Sequence, residues 1–380
     1  MSALMRTSLL TSWQGWLSLA LSLAALATLP LLDPDAVARF APMALFAIFA
    51  LSIAGAVVSF LPLPPLFLAA AIFVFCHLST SILISGLSGN EGKAATAFFL
   101  MIAANWLLAW RCVSLLSEIR TRSRFADGLL GLAIPAIFGA WLLILWEALT
   151  RGFGVPFILL PPPSSIGLRI AASLSILWAD VQQTIFKAVL AGYILGCSAG
   201  FVVAILADRF AFLRAGLMPI GNLMSALPII GVAPVMVMWF GFDWQSKAAV
   251  VTIMTFFPML VNTVAGLSAS GTMERDLMRS YASDYRQTLM KLRLPAAMPF
   301  IFNALKINST LALIGAIVAE FFGTPIVGMG FRISTEIGRM NVDMVWAEIA
   351  VAALAGSLFY GVVALAERAT TFWHPSNRGG

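Results

Sequence analysis

Charge is what this 380-residue chain has least of. Asp, Glu, Lys and Arg make up 11% of it, against about 25% in soluble globular domains. With 61% hydrophobic residues and a mean hydropathy of +0.95, a water-soluble fold is excluded and an integral membrane protein is implied. Histidine is reduced to His77 and His374. No HExxH, no Ser with His and no carboxylate pair in a shared apolar stretch is present, so no catalytic residue and no enzyme are expected. Cys76, Cys112 and Cys197 are odd in number, lie within or at the edge of apolar runs and have no CxxC spacing, which excludes a disulfide framework and a zinc site. A phosphate loop is missing too. Its nearest approach, Gly89-Asn90-Glu91-Gly92-Lys93-Ala94, lacks the GxxxxGK[ST] spacing and ends in Ala where a hydroxyl would hold magnesium. No metal and no cofactor is therefore expected on this chain. The net charge of +6 sits in short loops between apolar runs, leaving no basic face for nucleic acid.

What is present is a series of apolar runs, each near the roughly 20 residues that a bilayer crossing needs. The pattern predicts an all-α, polytopic protein with about ten transmembrane helices: 13–32, 43–61, 66–85, 95–115, 129–149, 187–207, 217–240, 247–267, 300–321 and 345–366. The first run reads as a retained span rather than a signal peptide, given its length, the lone Arg6 before it and the acidic Asp33-Pro34-Asp35 after it. From Arg111, at the end of the fourth run, to Asp127, Arg111, Arg120, Arg122 and Arg124 outnumber Glu118 and Asp127, which places that connection in the cytoplasm. Alternation then puts 208–214, 274–299 and the tail on the same side, each with Arg, and both termini with them. The expected organisation is four leading spans of no assigned role (1–116), a basic cytoplasmic linker (117–128), a six-span core (129–370) and a tail (371–380).

One stretch does not fit a bilayer. Residues 274–299 carry Arg275, Arg279, Arg286, Lys291 and Arg293 against Glu274, Asp276 and Asp284, a density no hydrocarbon core accepts. Free of Gly and Pro from Met273 to Leu294 and rich in helix formers, the stretch predicts one short surface helix that Pro295 ends. Met278, Tyr281, Tyr285, Leu289 and Leu292 follow at i+3 and i+4 steps, giving it an apolar stripe suited to a groove in a partner.

The order of this helix, then Leu294-Pro295-Ala296-Ala297 and Pro299, resembles the cytoplasmic loop of ABC importer permeases whose helix docks into the ATPase subunit. In that family the helix opens Glu-Ala-Ala and has a Gly a few residues on. Here Asp276-Leu277-Met278 and Ala282 occupy those places; Asp keeps an acid near the helix start and Ala keeps the position small. Trp146-Glu147, Leu159-Leu160-Pro161-Pro162-Pro163-Ser164, Pro219, Ala226-Leu227-Pro228, Ala233-Pro234, Trp239-Phe240-Gly241, Phe256-Phe257-Pro258 and Asn262-Thr263 occur in order and are similar to the nitrate, sulfonate, taurine and thiamine-precursor branch. The four leading spans lie outside the resemblance.

The resemblance implies a type I importer permease core that passes a small solute by alternating access in a bacterial inner membrane, as a homodimer. It implies as partners an ATPase dimer, which carries the ATP, and a periplasmic or lipid-anchored binding protein. It assigns ATPase coupling to Asp276, Met278, Tyr281, Ala282, Ser283, Asp284, Tyr285, Leu289, Leu294 and Pro295. For the translocation path, Pro228 with Asn222 and Ser225 reads as a lining or hinge, or as a kinked packing helix, because proline frees backbone carbonyls that only protein or a wet cavity tolerates. Asn262 and Asn308 either line the path or bond a neighbouring helix. Met236, Trp239 and Phe257 form a gate or plain packing. Glu320 and Glu348 are expected near the outer face as caps or binding-protein contacts, His77 as a hydrogen-bonded residue, and Lys306 at the cytoplasmic interface. Without Arg in the lining spans, a thiamine or pyrimidine precursor suits better than a sulfonate or nitrate. The alternative, a secondary transporter or channel with its own ion coupling, needs an intramembrane relay of acids or histidines for which His77 stands almost alone.

Overall fold

The computed structural model describes residues 12–37, 40–119, 123–224, 228–323 and 326–372. It is all-α: among the described residues the extended pairing is limited to one isolated bridge, Leu32 with Ala94. Seven described helices are long and apolar enough to cross a membrane. The chain forms two compact units, Met1–Ile166 and Gly167–Gly380.

The first unit contains α1 (Trp13–Ala27), α2 (Pro42–Val58), α3 (Pro65–Ser85), α4 (Thr96–Glu118) and α5 (Arg124–Gly152), and ends inside α6 (Pro163–Ala172). Prolines open α2 and α3 in the first turn, where a missing N–H costs no helical bond. Both α1 and α3 pack along α4. Asn105 Nδ2 donates to Ser79 Oγ at 3.0 Å and Ser79 Oγ donates to the Ile48 carbonyl at 2.9 Å, joining α4, α3 and α2. His77 behaves as a hydrogen-bonded core residue, with Nε2 accepting from Trp141 Nε1 at 3.1 Å and Nδ1 2.7 Å from the Phe73 carbonyl. The division between units falls later than the 117–128 linker, because Trp141, Leu145 and Ala148 of α5 pack into the apolar clusters of the leading helices. With 15 and 17 residues, α1 and α2 reach only about 22–26 Å at 1.5 Å per residue, short of the roughly 30 Å of a bilayer core.

The second unit takes the remainder of α6 and then α7 (Leu174–Val181), which runs through a π-helical segment, Gln182–Val189, into α8 (Leu190–Arg209). It continues with α9 (Ala211–Met224), α10 (Ile229–Phe240), α11 (Trp244–Ser268), α12 (Thr272–Ser280), α13 (Tyr285–Thr288), a second π segment Leu289–Arg293, α14 (Leu294–Glu320), α15 (Met329–Gly338) and α16 (Val342–Thr370). The core is α11 sandwiched between α8 and α14. Gly192, Gly196 and Gly200 let α8 approach the backbone of α11 at Ala248, Thr252 and Phe256. Asn308 crosslinks all three helices, its Nδ2 donating to Cys197 Sγ at 3.2 Å and to the Thr255 carbonyl at 2.8 Å.

Two expectations are corrected here. The run 217–240 is not one span but α9 and α10, with Pro228 in extended geometry as the N-cap of α10, a position where its missing N–H breaks no helical bond. The stretch 273–294 is not one helix either. It breaks between α12 and α13, and Pro295 lies in the first turn of α14, where it is tolerated, so helix continues from Tyr285 to Glu320.

Candidate functional site

The loop between α11 and α14 falls into a projecting half and a packed half. Glu274 in the first turn and Arg279 in the last suit the dipole of α12. No residue of α12 is buried. Met273, Leu277 and Tyr281, one helical turn apart, are 80%, 56% and 78% exposed and make an uncovered apolar stripe. Met278 is half-buried and Asp276 exposed, its 3.4 Å pair with Arg279 lying in solvent.

The break after α12 has a specific geometry. Ala282 N–H donates to the Arg279 carbonyl at 2.9 Å and Ser283 N–H to the Met278 carbonyl at 3.0 Å, the two bonds of a Schellman turn. Ala282 sits at its left-handed position with φ of 53°. The position therefore favours glycine by conformation, beyond the small size that alanine supplies. Asp284 then opens α13 with a capping box: its Oδ1 accepts the Gln287 N–H at 2.6 Å while Gln287 Oε1 accepts the Asp284 N–H at 3.3 Å.

From Tyr285 the chain turns inward. Leu289 is buried in the core cluster, and Tyr285 and Leu294 pack against it; Pro295 is half-buried. The predicted coupling residues therefore divide. Asp276, Met278, Tyr281, Ala282, Ser283 and Asp284 stand with the projecting half, whereas Tyr285, Leu289 and Leu294 face their own protein. A residue missed from sequence organises this second half. Asp208, next to last in α8, accepts Arg293 Nη1 at 2.8 Å and Nη2 at 2.6 Å, and Tyr285 Oη donates to it at 3.0 Å. Arg293 Nε donates to the Leu267 carbonyl at 2.9 Å, and the Arg209 guanidinium lies 4.7 Å over the Tyr285 ring. The available signal was an acid and a base at span ends placed on one side, which does not say which of several bases pairs.

At the other end of the unit, three successive amides at the start of α15 are clamped by side chains from three helical segments. Gly328 N–H donates to Asp180 Oδ1 at 2.6 Å, Met329 N–H to Thr184 Oγ1 at 2.9 Å and Gly330 N–H to Glu320 Oε2 at 2.7 Å. Arg332 pairs with Asp180 at 2.9 Å. Glu320 is thus a cap, and Glu348 is buried beside Asp180 and Arg332. In the nearby α10–α11 turn, the Gln183 amide and the Trp244 N–H hold the Asp243 carboxyl below its ordinary range. Lys247 is buried, its Nζ 2.5 Å from the Phe242 carbonyl. Lys306, near the middle of α14, is paired with Glu367 toward the end of α16 at 2.7 Å.

Of the residues expected along the path, Met236 and Trp239 line one cavity of about 500 Å³ together with Phe240, Trp244, Gln245 and Thr252; no charged side chain lines it. Trp239 is 71% exposed and Pro228 exposed. Phe257 packs edge-on against Phe256 beside α8 and α9. Asn262 Nδ2 donates to the Pro258 carbonyl of its own helix at 2.9 Å. Asn308 is fully buried, bonded to α8 and α11. Asn222 lies on α9, and Ser225 lies outside the described residues.

Residues 192–372 match a family model described as binding-protein-dependent transport system inner membrane component. The formylaminopyrimidine transport permease protein ThiX of Halalkalibacterium halodurans is 30% identical over 247 residues, covering 63% of this chain and 95% of that protein. The riboflavin transport system permease protein RibX of Chloroflexus aurantiacus is 29% identical over 264 residues, 68% of this chain and 96% of that one. The taurine transport system permease protein TauC of Escherichia coli is 27% identical over 206 residues, 54% and 70% of the two chains.

Proposed function

Because the chain belongs to the inner-membrane permeases of binding-protein-dependent ABC importers and is not an enzyme, we propose that it carries a small solute inward by alternating access, driven by ATP hydrolysed on a separate subunit. The observation that carries this reading is α12: a charged, amphipathic helix that buries none of its residues and leaves Met273, Leu277 and Tyr281 uncovered. Such a face suits burial against a partner. The partner is an ATPase dimer, and closure of that dimer moves two such loops. Loading of an extracytoplasmic binding protein on the other face supplies the second bias on the inward and outward states. The permease acts as a homodimer, with α12 and both termini on the cytoplasmic side.

The solute is a neutral, flat heterocycle of the thiamine or pyrimidine-precursor class. The aromatic cavity at Trp239 has no charged wall, and Lys247 is buried against the Phe242 carbonyl rather than offered to an anion. A sulfonate or nitrate finds no cation there. Co-expression with a cognate ATPase and binding protein tests the reading. ATP-dependent uptake into proteoliposomes supports it; uphill uptake by the permease by itself overturns it. Calorimetry of the binding protein against hydroxymethylpyrimidine, taurine and nitrate tests the solute class, and tight binding of an anion only overturns that part.

A further inference from the structure

We propose that Asp208 is the positioning residue through which the coupling loop moves α8, holding the inner end of that helix to Arg293 and Tyr285 as one rigid body. The inference rests on the coupling reading above and assigns the route by which movement leaves the loop. Chain connectivity alone takes α12 to α11 on one side, through residues 269–271, and to α14 on the other, through α13. It does not take it to α8.

Among the described residues, the hydrogen bonds from the loop to α8 all end on the Asp208 carboxylate: two from Arg293 and one from Tyr285. The side chains of Arg293 and Asp208 are only 15% and 2% exposed, so the pair is little screened by solvent. A two-pronged guanidinium–carboxylate contact also fixes orientation, which a single charge contact does not. The same guanidinium donates through Nε to Leu267 at the end of α11, so one side chain joins the ends of α8 and α11 to the start of α14. The projecting α12 lies beyond the left-handed joint at Ala282 and is anchored by no buried contact. The first fixed point a movement of α12 meets is therefore Tyr285 with Asp208 and Arg293. Sequence position hides this role, since Asp208 is 85 residues from Arg293.

The test uses the permease with its ATPase partner, spin-labelled at Arg286→Cys in the loop and Phe210→Cys at the end of α8, with distances read in the nucleotide-free and ATP-vanadate-trapped states. In the wild-type background the 286–210 distance is expected to stay the same in both states. In Asp208→Asn the ATPase is expected still to co-purify, while the trapped-state distance shifts and broadens; Asp208→Glu is expected to restore a single distance. A wild-type distance that changes with nucleotide overturns the proposal, as does an Asp208→Asn complex that keeps the wild-type distance in both states. If Asp208→Asn does not assemble, the wild-type measurement decides by itself. Failure of the unsubstituted permease to retain an ATPase would instead sink the coupling reading, so the two failures are distinct.

Discussion

Thr184 and Glu320, 136 residues apart, share a hydrogen bond of 2.7 Å from the Thr184 hydroxyl to Glu320 Oε1 in the interior of the second unit. Thr184 also accepts the Met329 N–H, and Glu320 also accepts the Gly330 N–H. The two side chains thereby tie the π segment before α8 and the end of α14 to the start of α15. Replacing Glu320 by Ala strands the Thr184 hydroxyl and the Gly330 amide. Each buried polar group left unmatched costs roughly 1–3 kcal/mol, so Glu320→Ala is expected to lower Tm in detergent well beyond Glu320→Gln, which keeps an acceptor. Thermal unfolding followed by fluorescence checks the order; equal Tm values for the two variants would refute it.

The seam between α8 and α11 gives a second expectation. A Cβ added at Gly196 would overlap Thr255 Oγ1 and press on the Thr252 carbonyl, and Thr252 Oγ1 reaches the Gly192 carbonyl at 3.3 Å. Neither backbone can retreat without opening the α8–α11 seam. Gly196→Val is expected to destabilise by about 1–3 kcal/mol, the usual cost of overpacking. Gly216, whose added Cβ would meet nothing within 4 Å, should tolerate Ala with little change. Purified yield and Tm of the two variants read the difference.

Much of this architecture is legible in the amino-acid order, and the exceptions have physical causes. Apolar runs place the spans because a bilayer demands them. The break at Pro228 is visible as a proline, yet whether such a proline kinks or ends a helix depends on its neighbours. Met278, Tyr281, Tyr285 and Leu289 keep a helical spacing, but Ala282 at φ 53° shifts the phase, so the outward stripe is Met273, Leu277 and Tyr281 while Tyr285 and Leu289 turn to the core. Periodicity reports that a face is apolar and is silent on what covers it. The pairing of Asp208 with Arg293 was out of reach for a similar reason: Arg275, Arg279, Arg286 and Lys291 offered the same charge on the same loop.

The joint at Ala282 yields a third expectation. An alanine at left-handed φ costs roughly 1–2 kcal/mol relative to its ordinary conformation, whereas glycine pays about 0.5–1 kcal/mol in chain entropy. Ala282→Gly is therefore expected to be neutral or stabilising by up to about 1 kcal/mol, and Ala282→Val, with a branched Cβ, to loosen the joint. Hydrogen exchange at the Ala282 and Ser283 amides, which bond back to Arg279 and Met278, is the direct reading. Slower exchange in the Gly variant and faster exchange in the Val variant are expected; the reverse order would show that the turn is not limited by this residue.

The last expectation separates docking from folding. Leu294 belongs to the loop motif, yet it packs against the core cluster around Leu289 and Ala297, so Leu294→Asp would bury a charge within the permease. Its failure would say nothing about a partner. Leu277 is exposed at the middle of the uncovered stripe, with Met273 and Tyr281 a turn to either side, and Leu277→Asp places no charge in a buried position, since α12 buries none of its residues. The prediction is a split: Leu277→Asp keeps wild-type Tm and expression but loses co-purification of the ATPase, while Leu294→Asp lowers Tm before any question of assembly arises. Where Leu277 is a hot spot of the contact, its loss costs about 2 kcal/mol or more of binding, a tenfold or larger weakening that pull-down titration resolves. Retained ATPase binding in Leu277→Asp would mean that this stripe is covered by lipid headgroups or by nothing at all, and that the motor grips the permease elsewhere.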